Sequence, residues 1–339
     1  MPLHYRAAVL HRSGTPLAIE QVSAGDPEAH DVVVGVRAAG LCHTDLKVID
    51  GSLRYPLPMI LGHEAAGVVE DVGSAVGHIK RGDHVILSWN PHCGHCFQCD
   101  RGQPILCDIY LAEGPKGVHF DGRSKAALVG GGELKHLMFL GAFAEVCVLP
   151  AQQAIVIPKE IPFDRACLIG CGVMTGVGAA LNIAEIGYGE TVMVIGCGAV
   201  GLAALQGAVM AGAGAVIAVD LDDTKLALAA KIGATHTVNA KWQDPVEIAK
   251  SLTSGRGADV ILEAAGHPVA FRETTEAVRV GGQVISLGKI DVTNDVSFRW
   301  GSLWARSGCA ARATAARALC AIFPCWRAPI WMDGSSSTS

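Results

Sequence analysis

Four cysteines crowd into fifteen residues, Cys93-x2-Cys96-x2-Cys99-x7-Cys107, and no other feature restricts the possible folds of this chain as much. Thiolates at that spacing can close a tetrahedral zinc site with no open position, pinning a loop too poor in apolar residues to hold itself. Close cysteine triplets also serve iron–sulfur clusters, so spacing alone leaves both open. His92 and His95 interleave the thiols and read as solvated loop residues, because four cysteines already suffice. The first ten residues carry His4, Tyr5 and Arg6 and no long apolar run, so no secretory leader is expected. A reducing, cytoplasmic home is the expectation, where thiolates serve metals rather than disulfides.

A second pattern lies further along. Gly196-Cys-Gly198-Ala-Val200-Gly201 follows an apolar run, opens a helical pattern, and is followed about 20 residues later by Asp220 at the end of a second apolar run. In a dinucleotide-binding turn Gly196 permits the tight bend, Gly198 lets backbone approach a pyrophosphate, and Gly201 lets the helix pack on the strand. The free N–H groups of the helix start favour the phosphate charge. Asp220 would accept hydrogen bonds from the adenosine ribose and repel a 2′-phosphate, so NAD is expected over NADP. The same region, Thr191 to Val219, has no charged residue and is long enough to span a bilayer, but its glycines fit a buried βαβ unit better.

Around these motifs the chain changes period. Asp31–Arg37, Ala65–Val72 and His84–Trp89 read as strands among Gly and Pro turns, predicting a β-rich, barrel-like domain over residues 1–162. A glycine-rich stretch, Ala112 to Gly132, reads as a surface or cleft loop. From about Asp164, strands at Val192–Ile195, Val216–Val219, Val260–Glu263 and Val284–Leu287 alternate with helices near Val200–Met210, Asp223–Ile232 and Val269–Val278. That alternation predicts a doubly wound parallel sheet of the Rossmann type over 163–290, an α/β fold class overall. With half its 339 residues apolar and 17% charged, the chain can fill two such cores. A net charge of −5 gives no reason to expect nucleic acid or an anionic membrane as partner.

Three further segments offer ligands: Gly40-Leu-Cys42-His43-Thr44-Asp45, Gly62-His63-Glu64 and Gly170-Cys171-Gly172. Two thiolates and one imidazole leave a fourth zinc position open for a water or an alcohol. Taken singly, each is more often a core cysteine or a structural histidine. Together, GLCHTD, GHEAAGVVEDVG, the four-cysteine loop, GCGVMTG and GCGAVG resemble, in order, the motifs of zinc-dependent alcohol dehydrogenases of the medium-chain dehydrogenase/reductase family, over roughly residues 5 to 303. The resemblance implies a GroES-like catalytic domain before the Rossmann domain, two zinc ions per chain, and NAD. It implies Cys42, His63 and Cys171 as catalytic zinc ligands, with Glu64 at the metal and Asp45 as a nearby carboxylate bonding the His63 ring. Thr44 is then the hydroxyl that receives the alcohol proton. His43, Thr175, Val200 and Lys225 join the glycines and Asp220 around the cofactor. The implied reaction oxidises a primary, possibly aromatic, alcohol to an aldehyde. A thiol-adduct formaldehyde dehydrogenase, and a non-catalytic relic that binds zinc and NAD, are the alternatives. The partner is a small alcohol or aldehyde, and the family implies a homo-oligomer.

Two departures qualify this. Where many members carry a relay histidine, this chain has Lys47, which must first lose a proton before it can accept one. The end departs more. Trp304 to Ser339, within the atypical segment 291–339, holds three of the six Trp, nine Ala and four Arg, but no Glu or Lys, and sustains no period. We read this tail as out of frame, since shifted codons permit a charged, amphipathic continuation. The end of the catalytic domain and its dimer strand would then be missing. Sequence of the gene with no nearby insertion or deletion would refute that reading.

Overall fold

The structure is a computed structural model that describes residues 3–290, 294–299 and 301–302. The β-rich region begins with β1 (Leu3–Leu10), β2 (Ala18–Ala24) and β3 (Asp31–Gly40), followed by helix α1 (His43–Asp50). Then come β4 (Met59–Ile60), β5 (Glu64–Val72), β6 (His84–Leu87) and the short helices α2 (Phe97–Asp100) and α3 (Asp108–Glu113). The strands β7 (Ala126–Leu128), β8 (Glu133–His136), β9 (Val146–Pro150) and β10 (Ala154–Val156) complete it. Strands β1, β2, β7, β8 and β4 close a barrel, and a second sheet runs in the order β10-β6-β5-β3-β9. Alternation makes these sheets. On β1, Tyr5, Ala7 and Val9 point into the barrel core while His4 faces solvent.

Helices α4 (Phe163–Ala166) and α5 (Gly172–Gly178) lead into the parallel unit. That unit is β11 (Thr191–Ile195), α6 (Ala199–Met210), β12 (Ala215–Asp220), α7 (Asp223–Lys231), β13 (His236–Asn239), α8 (Pro245–Leu252), β14 (Ala258–Glu263), α9 (Pro268–Ala277) and β15 (Val278–Ser286). Its sheet order, β13-β12-β11-β14-β15, reverses between β11 and β14, where doubly wound folds place ligands. Strand β11 is central, so Val192, Met193 and Val194 are fully buried between two helical layers.

The uncharged stretch from Thr191 is therefore β11-α6-β12, a buried βαβ unit, and among the described residues no single helix is long and apolar enough to cross a membrane. Two expectations need correction. Ala112–Gly132 is not merely a loop, since β7 supplies a barrel strand and Val118 and His119 are buried. The sequence reading also omitted β13 and α8. The tail Trp304–Ser339, with its reading frame and the dimer strand, lies outside the described residues.

Candidate active site

Cys42 stands at the N-terminus of α1, His63 in the turn into β5, and Cys171 at the N-terminus of α5. Each offers one ligand atom, and the three atoms lie within 4.8 Å of one another. The turn needs Gly62, whose φ of +91° places His63, and a side chain there would run into Phe143. Asp45 is the organiser. It is fully buried, and its Oδ2 accepts from the Cys42 N–H (3.0 Å) while Oδ1 accepts from the Gly62 N–H (2.9 Å). The same Oδ1 lies 3.4 Å from Nδ1 of His63, itself only 1% exposed. One carboxylate thus fixes the loops of two of the three groups and leaves Nε2 of His63 for the cluster.

The protonation of this cluster is unusual. A hydrogen bond with Cys171, helped by His63, pulls the Cys42 thiol down to about 3 against the effect of burial. The same hydrogen bond, with burial, drives Cys171 up. Burial lowers His63, yet hydrogen bonds to Asp45 and Cys42 prevail and raise it to about 9. Two sulfurs with one imidazole are a borderline-soft donor set suited to zinc.

Glu64, expected at the metal, lies beside the three-atom set, its side chain hydrogen-bonded with Cys171. Its Oε1 accepts from the Gly172 N–H at 3.1 Å, so it braces the turn carrying Cys171, and burial raises its pKa. Thr44 is buried on the first turn of α1, whereas His43 beside it is exposed. Lys47 crosses to the other region, donating from Nζ to the Lys289 carbonyl (3.1 Å).

The glycine loop lies close by. Gly196 (φ +92°) has no room for a side chain against the backbone of Ala265, and Gly201 has none against the Gly196 carbonyl. Gly198 is open to solvent, and Val200 and Thr175 are half-buried. Asp220 is already engaged: Oδ2 accepts from the Cys197 N–H (2.6 Å), and Oδ1 from Leu221 (2.8 Å) and Asp222 (3.0 Å). Lys225 is exposed on α7. A residue not singled out from sequence joins this loop to the cysteine cluster. Gly176 of α5 has no space for a side chain against the Val200 carbonyl and the Ala204 N–H, so α5 rests directly on the first turns of α6. The signal was legible, since Gly172 and Gly176 fall one turn apart in a helical run.

The four cysteines of the 93–107 loop also converge, all four sulfurs within 4.8 Å of one another. Cys93 and Cys99 Sγ are 3.9 Å apart, and Cys96 and Cys107 Sγ 4.0 Å. Four bonds of zinc–thiolate length around one ion put sulfurs about 3.8 Å apart. An iron–sulfur cluster would hold them further apart. Backbone N–H groups of Cys93, Asp108 and Tyr110 donate to these sulfurs at 3.3 to 3.5 Å, an arrangement that stabilises thiolates. Cys96 falls to about 6 as N–H groups of Cys99 and Asp108 outweigh desolvation, while desolvation raises Cys99 to about 12. Behind the loop, Tyr110 meets Phe139 edge-on at 5.4 Å and donates to the Trp89 carbonyl at 2.7 Å.

Residues 28–159 match the alcohol dehydrogenase GroES-like domain, and residues 199–315 match the zinc-binding dehydrogenase family. An S-(hydroxymethyl)glutathione dehydrogenase of Saccharomyces cerevisiae is 38% identical over 305 residues, covering 88% of this chain and 79% of the relative. The chain belongs to the zinc-dependent medium-chain alcohol dehydrogenases. Among solved structures, an alcohol dehydrogenase zinc-binding domain protein from Burkholderia ambifaria superposes on this dehydrogenase with a TM-score of 0.87 at 36% identity, over 91% of this chain and 83% of that one. Benzyl alcohol dehydrogenase from Acinetobacter calcoaceticus gives 0.87 at 30% identity, over 92% and 84%.

Proposed function

We propose that this chain transfers a hydride between a primary alcohol, aromatic ones included, and NAD, with one zinc at Cys42, His63 and Cys171 and a second at Cys93, Cys96, Cys99 and Cys107. The observation that carries the reading is the convergence of the first three groups beside α5, on the helix packed against the dinucleotide turn. Residues 1–162 would form the catalytic domain and 163–290 the cofactor domain. A small-molecule partner and a cytoplasmic setting go with this reading.

With the groups bound, zinc supplies a Lewis acid that makes the alcohol O–H acidic, and the nicotinamide takes the hydride from the carbon. The chain's own residues do the rest. Asp45 keeps the proton of His63 on Nδ1, so Nε2 is free to bind metal. Thr44, buried beside Cys42, takes the alcohol proton and passes it outward. Gly196, Gly198, Val200 and Gly201 form the phosphate turn, with His43, Thr175 and Lys225 about the cofactor. Asp220, at the end of β12, disfavours a 2′-phosphate, supporting NAD. Trp89, packed against both the four-cysteine loop and Met174, offers an aromatic contact for a substrate ring. The benzyl alcohol relative agrees with it.

A second reading has its own support. Several relatives at 36–38% identity act, by name, on S-(hydroxymethyl)glutathione. The test is NADH formation by the zinc-loaded chain with ethanol, benzyl alcohol, or formaldehyde plus glutathione. Turnover of benzyl alcohol that vanishes in Cys42→Ala supports the proposal. Turnover confined to the glutathione adduct replaces it. Zinc and NAD binding with no turnover on any substrate would make the chain a relic.

A further inference from the structure

Glu263 ends β14 at the reversal of the sheet, and it has no place in the chemistry above. It is fully buried, an expensive location for a carboxylate. Its Oε1 accepts two backbone bonds, from Ala265 N–H (2.9 Å) and Gly266 N–H (2.8 Å). Among the described residues its Oε2 has no hydrogen-bond partner, and a side chain on Gly288 would lie 2.7 Å from it. Its own carbonyl accepts from Leu287 (2.7 Å) and Gly288 (2.9 Å). Burial raises its pKa, and the N–H groups around it pull the other way.

The turn that Glu263 holds is the surface on which the glycine loop rests. A side chain on Gly196 would lie 2.6 Å from the Ala265 nitrogen, and one on Gly201 would lie 3.5 Å from the Ala264 methyl. Gly288 in turn packs on the backbone of Gly266. Three loops, from β11, β14 and β15, therefore meet backbone to backbone around one carboxylate. We infer that Glu263 is a positioning residue of the dinucleotide edge: its carboxylate holds the 264–266 turn against Gly196 and so sets the shape of the loop that receives the cofactor. This rests on the reading of residues 196–201 as that loop.

The test compares the full chain with Glu263→Gln and Glu263→Ala, by amide hydrogen exchange without cofactor and by NADH fluorescence titration. Glutamine keeps one oxygen for Ala265 and Gly266, while alanine keeps none. Exchange at 264–266 and at 196–201 should quicken together, with the NADH Kd rising about ten-fold in Glu263→Ala and less in Glu263→Gln, about the effect of one lost buried hydrogen bond. KM for NAD should rise more than kcat falls. Faster exchange at 264–266 alone, or an unchanged Kd in both variants, overturns the inference. Should the alanine variant not fold, the glutamine variant decides by the same two readouts. Parent chain that fails to bind NADH would instead sink the dinucleotide reading, while exchange would still report whether the two loops move together.

Discussion

The two cysteine centres of this molecule are built in opposite ways. The 93–107 site draws every ligand from one loop, so its chain closure is short and its folding is local. The other gathers Cys42, His63 and Cys171 from three segments, and its geometry is held from outside by Asp45, Gly62, Glu64 and Gly176. A local site can serve as a staple because it needs little from the rest of the fold. On the proposed reading, the dispersed site leaves a position open because the chain brings only three ligand atoms together there.

That contrast can be broken first at Cys42. Cys42→Ala should cut kcat by about a thousand-fold or more while leaving the midpoint of thermal unfolding within a few degrees, since the change removes a ligand and not a scaffold. A comparable fall in the midpoint would mean that this centre, too, is a staple. Cys107→Ser should do the reverse. One zinc per chain should be lost by metal analysis, the 90–113 segment should become open to protease, and residual activity should track the folded fraction. The supporting carboxylate comes next. Asp45→Asn should cost about 10- to 100-fold in zinc affinity or turnover, seen as loss of activity at limiting zinc. Unchanged zinc affinity would remove Asp45 from its organising place.

A last effect, confined to acid conditions, concerns the floor of the four-cysteine loop, where His119 stacks on Phe139 and lies edge-on to His136. All four ring nitrogens of the pair are buried with no hydrogen bond among the described residues. Burial holds His136 down, to about 4, and His119 well below its ordinary value. Above the ordinary value near 6.5 neither folded nor unfolded chain binds a proton there, so stability is flat. As pH falls towards 4 the unfolded chain protonates first, and His136 should lose the fold about 3 kcal/mol. Urea unfolding at several pH values reads this slope, and His136→Phe should flatten it. An equal slope in that variant would assign acid sensitivity to other groups.

Local building also explains what was readable in advance. The cysteine spacing and the glycine turn are contiguous, so both could be placed from the chain alone. The parallel strands could be placed because burial on two faces makes them runs of Val, Ile and Ala. Strand β13 escaped because His236 and Thr237 are exposed and only Val238 and Asn239 are buried, leaving no run to see. Helix α8 carried a signal that was passed over: Asp244 before Pro245 caps it, accepting from Val246 at 2.8 Å. Barrel strand β7 is three residues long and gains its meaning only from β2 and β8 beside it. Glu64 was placed at the metal by resemblance alone, and its contacts with Gly172 and Cys171 join segments far apart in the chain. The hold of Glu263 on the 264–266 turn depends on a turn and a neighbouring loop that no single segment displays.

The bare contact between Gly176 and α6 has one more consequence. Cys171 starts the helix that lies on the cofactor turn, yet its own turn is tied to the β-rich region, Gly172 donating to Glu64 and Gly170 lying on the Leu87 carbonyl. A shift of α6 therefore bears on α5 at Gly176, while Cys171 stays with Cys42 and His63. The three groups then keep their spacing as one unit, and the seam with the nucleotide side falls one turn past Cys171, along the bare Gly176 contact.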